Sequence, residues 1–235
     1  MFEAIDNYCE RVGDAFWAEP FNAITNLAFI VAAYLGWRLM QKLTAQSAGH
    51  VFLIAVLFSI GIGSFLFHTF ATRWAELADI IPILIFQITF LWLYTREVIR
   101  LNRVWAGVTM VVFFVVVGAG FKMKALLGLG PDDPSPVNGS EMYVGALIGV
   151  LALAIYHFTM EKVGRFMLLS AFGLFCLSLT FRTLDMAICQ VWPLGTHYLW
   201  HLSNAGVLYL SLRALLLNVL PVQIPWEENE GRVSA

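Results

Sequence analysis

Three histidines, His68, His197 and His201, stand at the ends of strongly apolar stretches. His197 and His201 are four residues apart, which puts both on one face of a helix. Side chains able to bind a metal are costly near lipid and are kept there for a task. A hydrolytic zinc site uses three protein ligands and leaves one position open. A pair at i and i+4 plus one histidine from another helix meets that count. Zinc lowers the pKa of bound water toward about 7 and polarises a carbonyl oxygen. A carboxylate must then take and return a proton, and Asp79, in AELADIIP, is the candidate. Ser64 lies four residues before His68 on the same helical face, where its hydroxyl can bond the attacking water or the developing oxyanion. The GIGS run that contains Ser64 also lets helices approach closely.

The elements that must position these residues are membrane helices. The 235 residues are 60% hydrophobic and 13% charged, with mean hydropathy +0.76. Soluble domains are nearer a quarter charged. The deficit runs along the whole chain, so the expected class is all-α, an integral membrane bundle in one domain over 1–235. At about 20 residues per span, this length allows roughly seven spans. Hydropathy places them near 21–41, 50–70, 78–96, 104–122, 142–160, 164–184 and 197–219. Span three holds Pro82, which a membrane helix tolerates, especially in its first turn. The loop 123–141 holds GLGPDDPSPVNGS, rich in turn formers. Residues 1–20 are polar and acidic and lack the apolar core of a signal peptide. Residues 221–235 form a polar tail. There is no basic tract, and no nucleic-acid partner is expected.

Seven spans put the termini on opposite sides. Arg38, Lys42, Arg96, Arg100, Arg103, Lys162, Arg165, Arg213 and Arg232 fall on the side of the C-terminus, and Arg11, Arg73, Lys122, Lys124 and Arg182 on the other. The positive-inside rule then predicts the N-terminus outside and the C-terminus in the cytoplasm. In this topology span two ends outward at His68, span three starts inward near Asp79, and span seven starts inward at His197 and His201. All four lie at one depth near the outer face, the best internal indication of a single site.

Other polar residues have plainer readings. His50 and His157 are expected to be interfacial. Glu76 reads as a solvated loop charge, and Trp200 as a lipid-facing or packing aromatic. Arg182 and Asp185 read as an ion pair that lowers the cost of burying both. Cys176, inside span six, reads as a small buried apolar residue.

Three stretches, FWAEPFNAITNLAF, GIGSFLFHTF with ELADIIPIL, and THYLWHLSNAGVLYL, resemble in that order the signature regions of the alkaline ceramidases. These are seven-span, zinc-dependent membrane amidases within a wider group that includes the adiponectin-receptor-like proteins. The resemblance implies that His68, His197 and His201 ligate zinc, that Ser64 and Asp79 reach the attacking water, and that the amide of ceramide or a similar N-acyl lipid is hydrolysed to a sphingoid base and a fatty acid. It also implies a calcium site near the N-terminus. There the run Asn7-Tyr8-Cys9-Glu10, with Glu19 further on, matches the family pattern at Glu10 and Glu19. Its Asp and Asn positions do not match, so Asp6 or Asp14 would supply oxygen to a flexible calcium shell. It further implies a disulfide between Cys9 and Cys189, which an oxidising outer compartment permits.

Two other readings share these residues: a related membrane hydrolase acting on an ester or another N-acyl lipid, and a non-catalytic seven-helix metal-binding receptor or transporter. A transporter would show internal repeats or broken helices at mid-membrane, and neither is legible. The expected location is the inner or plasma membrane of a bacterium, or the endoplasmic reticulum or Golgi of a eukaryote.

Overall fold

The computed structural model describes residues 1–126, 128–130 and 135–219. The expected polar tail, 221–235, lies outside them. The chain forms α1 (Pro20–Thr25), α2 (Leu27–Lys42), α3 (Ala48–Phe70), α4 (Arg73–Leu93), α5 (Arg103–Phe121), a short α6 (Met123–Leu126), α7 (Val144–Thr159), α8 (Met167–Leu184) and α9 (His197–Asn218). Six helical stretches are long and apolar enough to cross a membrane: Pro20–Lys42, Ala48–Phe70, Arg73–Val98, Arg103–Gly120, Ser140–Thr159 and Met167–Leu184. The protein is therefore a multi-pass membrane bundle. α9 has 22 residues, enough for a crossing. It buries His197, His201, Asn204 and Ser211, so it is apolar only in part and packs in the interior.

Each long helix reverses direction relative to the one before it. α2 packs on α3, α3 on α4, α5 on α7, α7 on α8 and α8 on α9, while α9 returns against α2. The core between them is made by Phe29, Met40, Leu53, Leu57, Ile60, Phe86, Leu212 and Leu215. Lipid tails are as apolar as these side chains, so close packing rather than transfer from water holds the helices together.

The start of α4 differs from the hydropathy reading. The helix begins at Arg73, five residues before the expected start of span three. Asp79 therefore sits in the second turn and Pro82 in the third. Pro82 has no N–H to offer the Ala78 carbonyl one turn earlier. Gly63 of α3 lies against that carbonyl: a Cβ at position 63 would overlap the Ala78 oxygen. The Gly63 Cα–H thus points at an acceptor that Pro82 leaves free, a weak hydrogen bond of the kind common between close helices. This contact draws α3 and α4 together beside Ser64 and Asp79.

The N-terminal segment crosses one end of the bundle. Ile5 N donates to Ala71 O at 2.8 Å, and a disulfide joins Cys9 to Cys189 across 180 residues of sequence, with Cα atoms 5.4 Å apart. His50 and His157 lie at the opposite end, and both are buried. The His50 ring bonds Ala45 O and Glu97, and the His157 ring bonds the Tyr94 hydroxyl and Val163 O. Glu76, read as a loop charge, is in the first turn of α4 and pairs with Arg73. Cys176 is a free thiol and only half-buried.

Candidate metal centre

Four helix ends meet under the N-terminal segment: the end of α3 and the starts of α1, α4 and α9. They bring together the three histidines that the sequence singled out. His68, His197 and His201 are 1%, 1% and 0% exposed, and one ligand atom from each lies within 4.8 Å of the others. The rings stand 4.6–5.2 Å apart between centroids.

Each imidazole is held by a different device. His68 Nδ1 bonds Glu19 Oε2 at 2.6 Å. A carboxylate accepts, so Nδ1 carries the hydrogen and Nε2 keeps its lone pair. Glu19 also accepts from Arg11 Nε at 2.5 Å and from Asn22 Nδ2 at 3.0 Å, and Arg11 Nη2 reaches back to His68 O at 3.1 Å. Burial alone would raise the Glu19 carboxyl. The His68 side chain, then Asn22 and Arg11, hold it below the ordinary carboxylate value.

His201 Nδ1 lies 2.9 Å from Thr25 Oγ1, whose hydroxyl already donates to Phe21 O at 2.7 Å. The hydroxyl oxygen must then accept from Nδ1–H, which again leaves Nε2 bare.

His197 is clamped between aromatic rings, Tyr8 at 3.7 Å and Trp200 at 5.2 Å, both stacked. Its backbone is fixed by Asp185. One carboxylate oxygen of Asp185 accepts from Thr196 N (2.7 Å) and His197 N (2.9 Å), and the other from Cys9 N (3.0 Å). This caps the start of α9, where free N–H groups favour a negative charge. Gly195 makes room for it: its φ is +65°, and a Cβ there would meet both Asp185 and Cys9.

Whether these residues suit a metal ion can be read from unpaired atoms. His68 Nε2, His201 Nε2 and His197 Nδ1 are buried without a hydrogen-bond partner, and the buried Ser64 and Asp79 side chains lie against each other at the same end of the bundle. Orphaned buried polar atoms are rare and each calls for an explanation. One nitrogen from each of three imidazoles at this spacing fits a cation, and the outer hydrogen bonds to Glu19 and Thr25 are of the type that orients histidine ligands. Among the described residues no other group of three His, Cys, Asp or Glu side chains converges in this way.

Several expectations need correction or relocation. Arg182 and Asp185 do not pair: Asp185 is fully occupied by backbone N–H groups, and Arg182 Nη1 bonds the Tyr8 hydroxyl at 3.2 Å. Of the two readings of Trp200, the packing one holds: it is 2% exposed and stacks on His197. Of the residues offered for calcium, Asp6, Asn7 and Asp14 are exposed. Tyr8 stacks on His197, and burial raises its phenol, which therefore stays protonated. Glu10 accepts from Phe21 N and Asn22 N at 2.7 and 2.8 Å. Burial pushes its carboxyl up against those two bonds. The calcium reading rests on the resemblance alone.

Thr25 and Asp185 were missed as supports. No local pattern marks them, because their partners are 176 and 12 residues away.

Glu19→Ala is expected to weaken metal affinity by about 10–100-fold, the usual effect of losing an outer hydrogen bond to a histidine ligand. Chelator competition on the purified protein would measure it, and unchanged affinity would remove Glu19 from this role.

Fold and site together define a multi-pass membrane protein with a three-histidine centre able to hold a metal at one end of its helical bundle. The chain belongs to the ceramidase family, whose model matches residues 3–217. No curated protein matches it. Membership makes it a ceramidase-like hydrolase.

Proposed function

We propose that the protein is a zinc-dependent amidase that hydrolyses ceramide or a similar N-acyl lipid within the membrane. The observation that carries this reading is the convergence of three buried imidazoles, each offering one ligand atom within 4.8 Å of the others, at the end of the bundle that also buries Ser64 and Asp79. A donor set of three imidazoles suits zinc with one position left open. When bound, zinc would supply Lewis acidity to the lipid carbonyl and acidity to water.

The protein's own residues do the rest. Glu19 and Thr25 fix the tautomers of His68 and His201. Asp185, Tyr8 and Trp200 fix His197. Asp79 takes the proton of the attacking water and returns it to the leaving amine. The Ser64 hydroxyl donates to the oxygen on which negative charge develops. Asp79 is 6% exposed and Ser64 1%, so competing bulk water is kept away.

An apolar cavity supports a lipid substrate. Along α4 it is lined by Ile83, Phe86 and Phe90, and along α9 by Asn204, Val207, Leu208 and Ser211. Its lining begins one turn beyond Asp79 on α4 and one turn beyond His201 on α9. From Ile83 to Phe90 that is about 10 Å of helix, room for part of an acyl chain. The disulfide supports an N-terminus facing an oxidising compartment, in line with the charge distribution of the loops.

The test is turnover by zinc-loaded protein in vesicles, followed by mass spectrometry of the lipids. Release of free fatty acid from ceramide or another N-acyl lipid is expected. Intact amides alongside cleaved ester lipids would replace the amidase reading with an esterase.

A further inference from the structure

Arg182 is a charge in the last turn of α8, a helix long and apolar enough to cross a membrane, and charges in such segments are costly unless they serve a task. Among the described residues no carboxylate lies within ion-pairing distance of it. Asp185, the partner expected from sequence, is taken by Cys9, Thr196 and His197.

The guanidinium instead lies among aromatic rings, 5.8 Å from the centroid of Tyr8, 5.4 Å from Tyr143 and 5.7 Å from Trp200. Ring faces soften the burial of a cation, yet they do not occupy its in-plane N–H donors. Only Nη1 has a side-chain partner, the Tyr8 hydroxyl, while Nε is buried and unpartnered. The indole Nε1 of Trp200, on a residue 2% exposed, is also a buried donor without an acceptor. Tyr8 and Trp200 are the two rings that clamp His197. The unpaired donors therefore lie one ring away from the three-histidine centre.

We propose that Arg182, with Trp200, is a carboxylate-binding subsite beside that centre. A guanidinium matches a carboxylate better than any other side chain because its planar fork can bind both oxygens. The carboxylate has two sources on an N-acyl lipid: the fatty acid freed by amide cleavage, or an acidic group on the amine portion of the substrate. The second would make acidic N-acyl lipids preferred substrates. The subsite deepens the amidase reading and rests on it for the identity of the lipid.

The experiment uses zinc-loaded full-length protein, wild type and Arg182→Met. Binding of radiolabelled myristate is compared with that of tetradecanol, and turnover of N-myristoylglycine with that of N-myristoylethanolamine. Myristate binding at least tenfold weaker in Arg182→Met, with tetradecanol binding within twofold, assigns the subsite to the freed acid. A KM for N-myristoylglycine that rises at least tenfold relative to the KM for the ethanolamide in the same variant assigns it to an acidic head group. Anionic and neutral ligands weakening in parallel, or neither anionic ligand responding, overturns the proposal. Should Arg182→Met fail to fold, Arg182→Lys keeps the charge, removes the fork and is read by the same comparisons. If wild type cleaves no amide, the amidase reading fails, while myristate against tetradecanol still decides the role of Arg182.

Discussion

Replacing His201 with alanine is expected to abolish metal binding and turnover together. His201 is fully buried, and its Nδ1 is already committed to Thr25. Its Nε2 therefore has no task in the fold other than to face the centre. Two imidazoles on separate helices would remain, one short of the set that a hydrolytic zinc site uses. Turnover should fall at least as far as on loss of a proton-transfer group, about 10²–10⁴-fold, because Asp79 would be left with no activated water to serve. Elemental analysis and lipid turnover on the same preparation give both quantities, with elution as a monodisperse species as the check on folding. A folded His201→Ala protein that keeps stoichiometric zinc would overturn the ligand assignment.

Asp79→Asn is expected to separate the two properties that His201→Ala loses jointly. Asp79 lies on α4 and is outside the group of three histidines whose ligand atoms converge. Metal content should therefore stay near that of wild type. The amide side chain keeps the shape but cannot accept a proton, so kcat should drop by about 10²-fold or more, with KM little changed. Loss of metal in this variant would make Asp79 a ligand, and unaltered kcat would assign the proton transfer to another group.

The sequence placed the spans closely because a membrane imposes long apolar runs on any helix that crosses it. The start of α4 was misjudged by five residues. Arg73 and Glu76 look like loop residues to a hydropathy scan, yet they pair with each other within the first helical turn. His197 and His201 were legible through their helical spacing, and Ser64 through its spacing from His68. Their supports were not. Glu19 stood out only by resemblance, with calcium attached to it, whereas it holds His68 and Arg11. Sequence proximity suggested pairing Arg182 with Asp185. Local geometry overrode it, since the N–H groups at the start of α9 and at Cys9 claim the carboxylate first.

By itself, the sequence determined an all-α membrane bundle and the residue types of a metal centre at one end of it. Alternating passage through a bilayer returns every second helix end to the same side, and that follows from order along the chain alone. Only the tertiary structure decided which atoms face the centre. The lone pairs at His68 and His201 are set by Glu19 and Thr25, which reach them across 49 and 176 residues of sequence. Hydrogen bonds of that reach depend on how α1, α3 and α9 pack, and on the close approach of Gly63 to the carbonyl that Pro82 leaves free, and no local pattern in the chain encodes them.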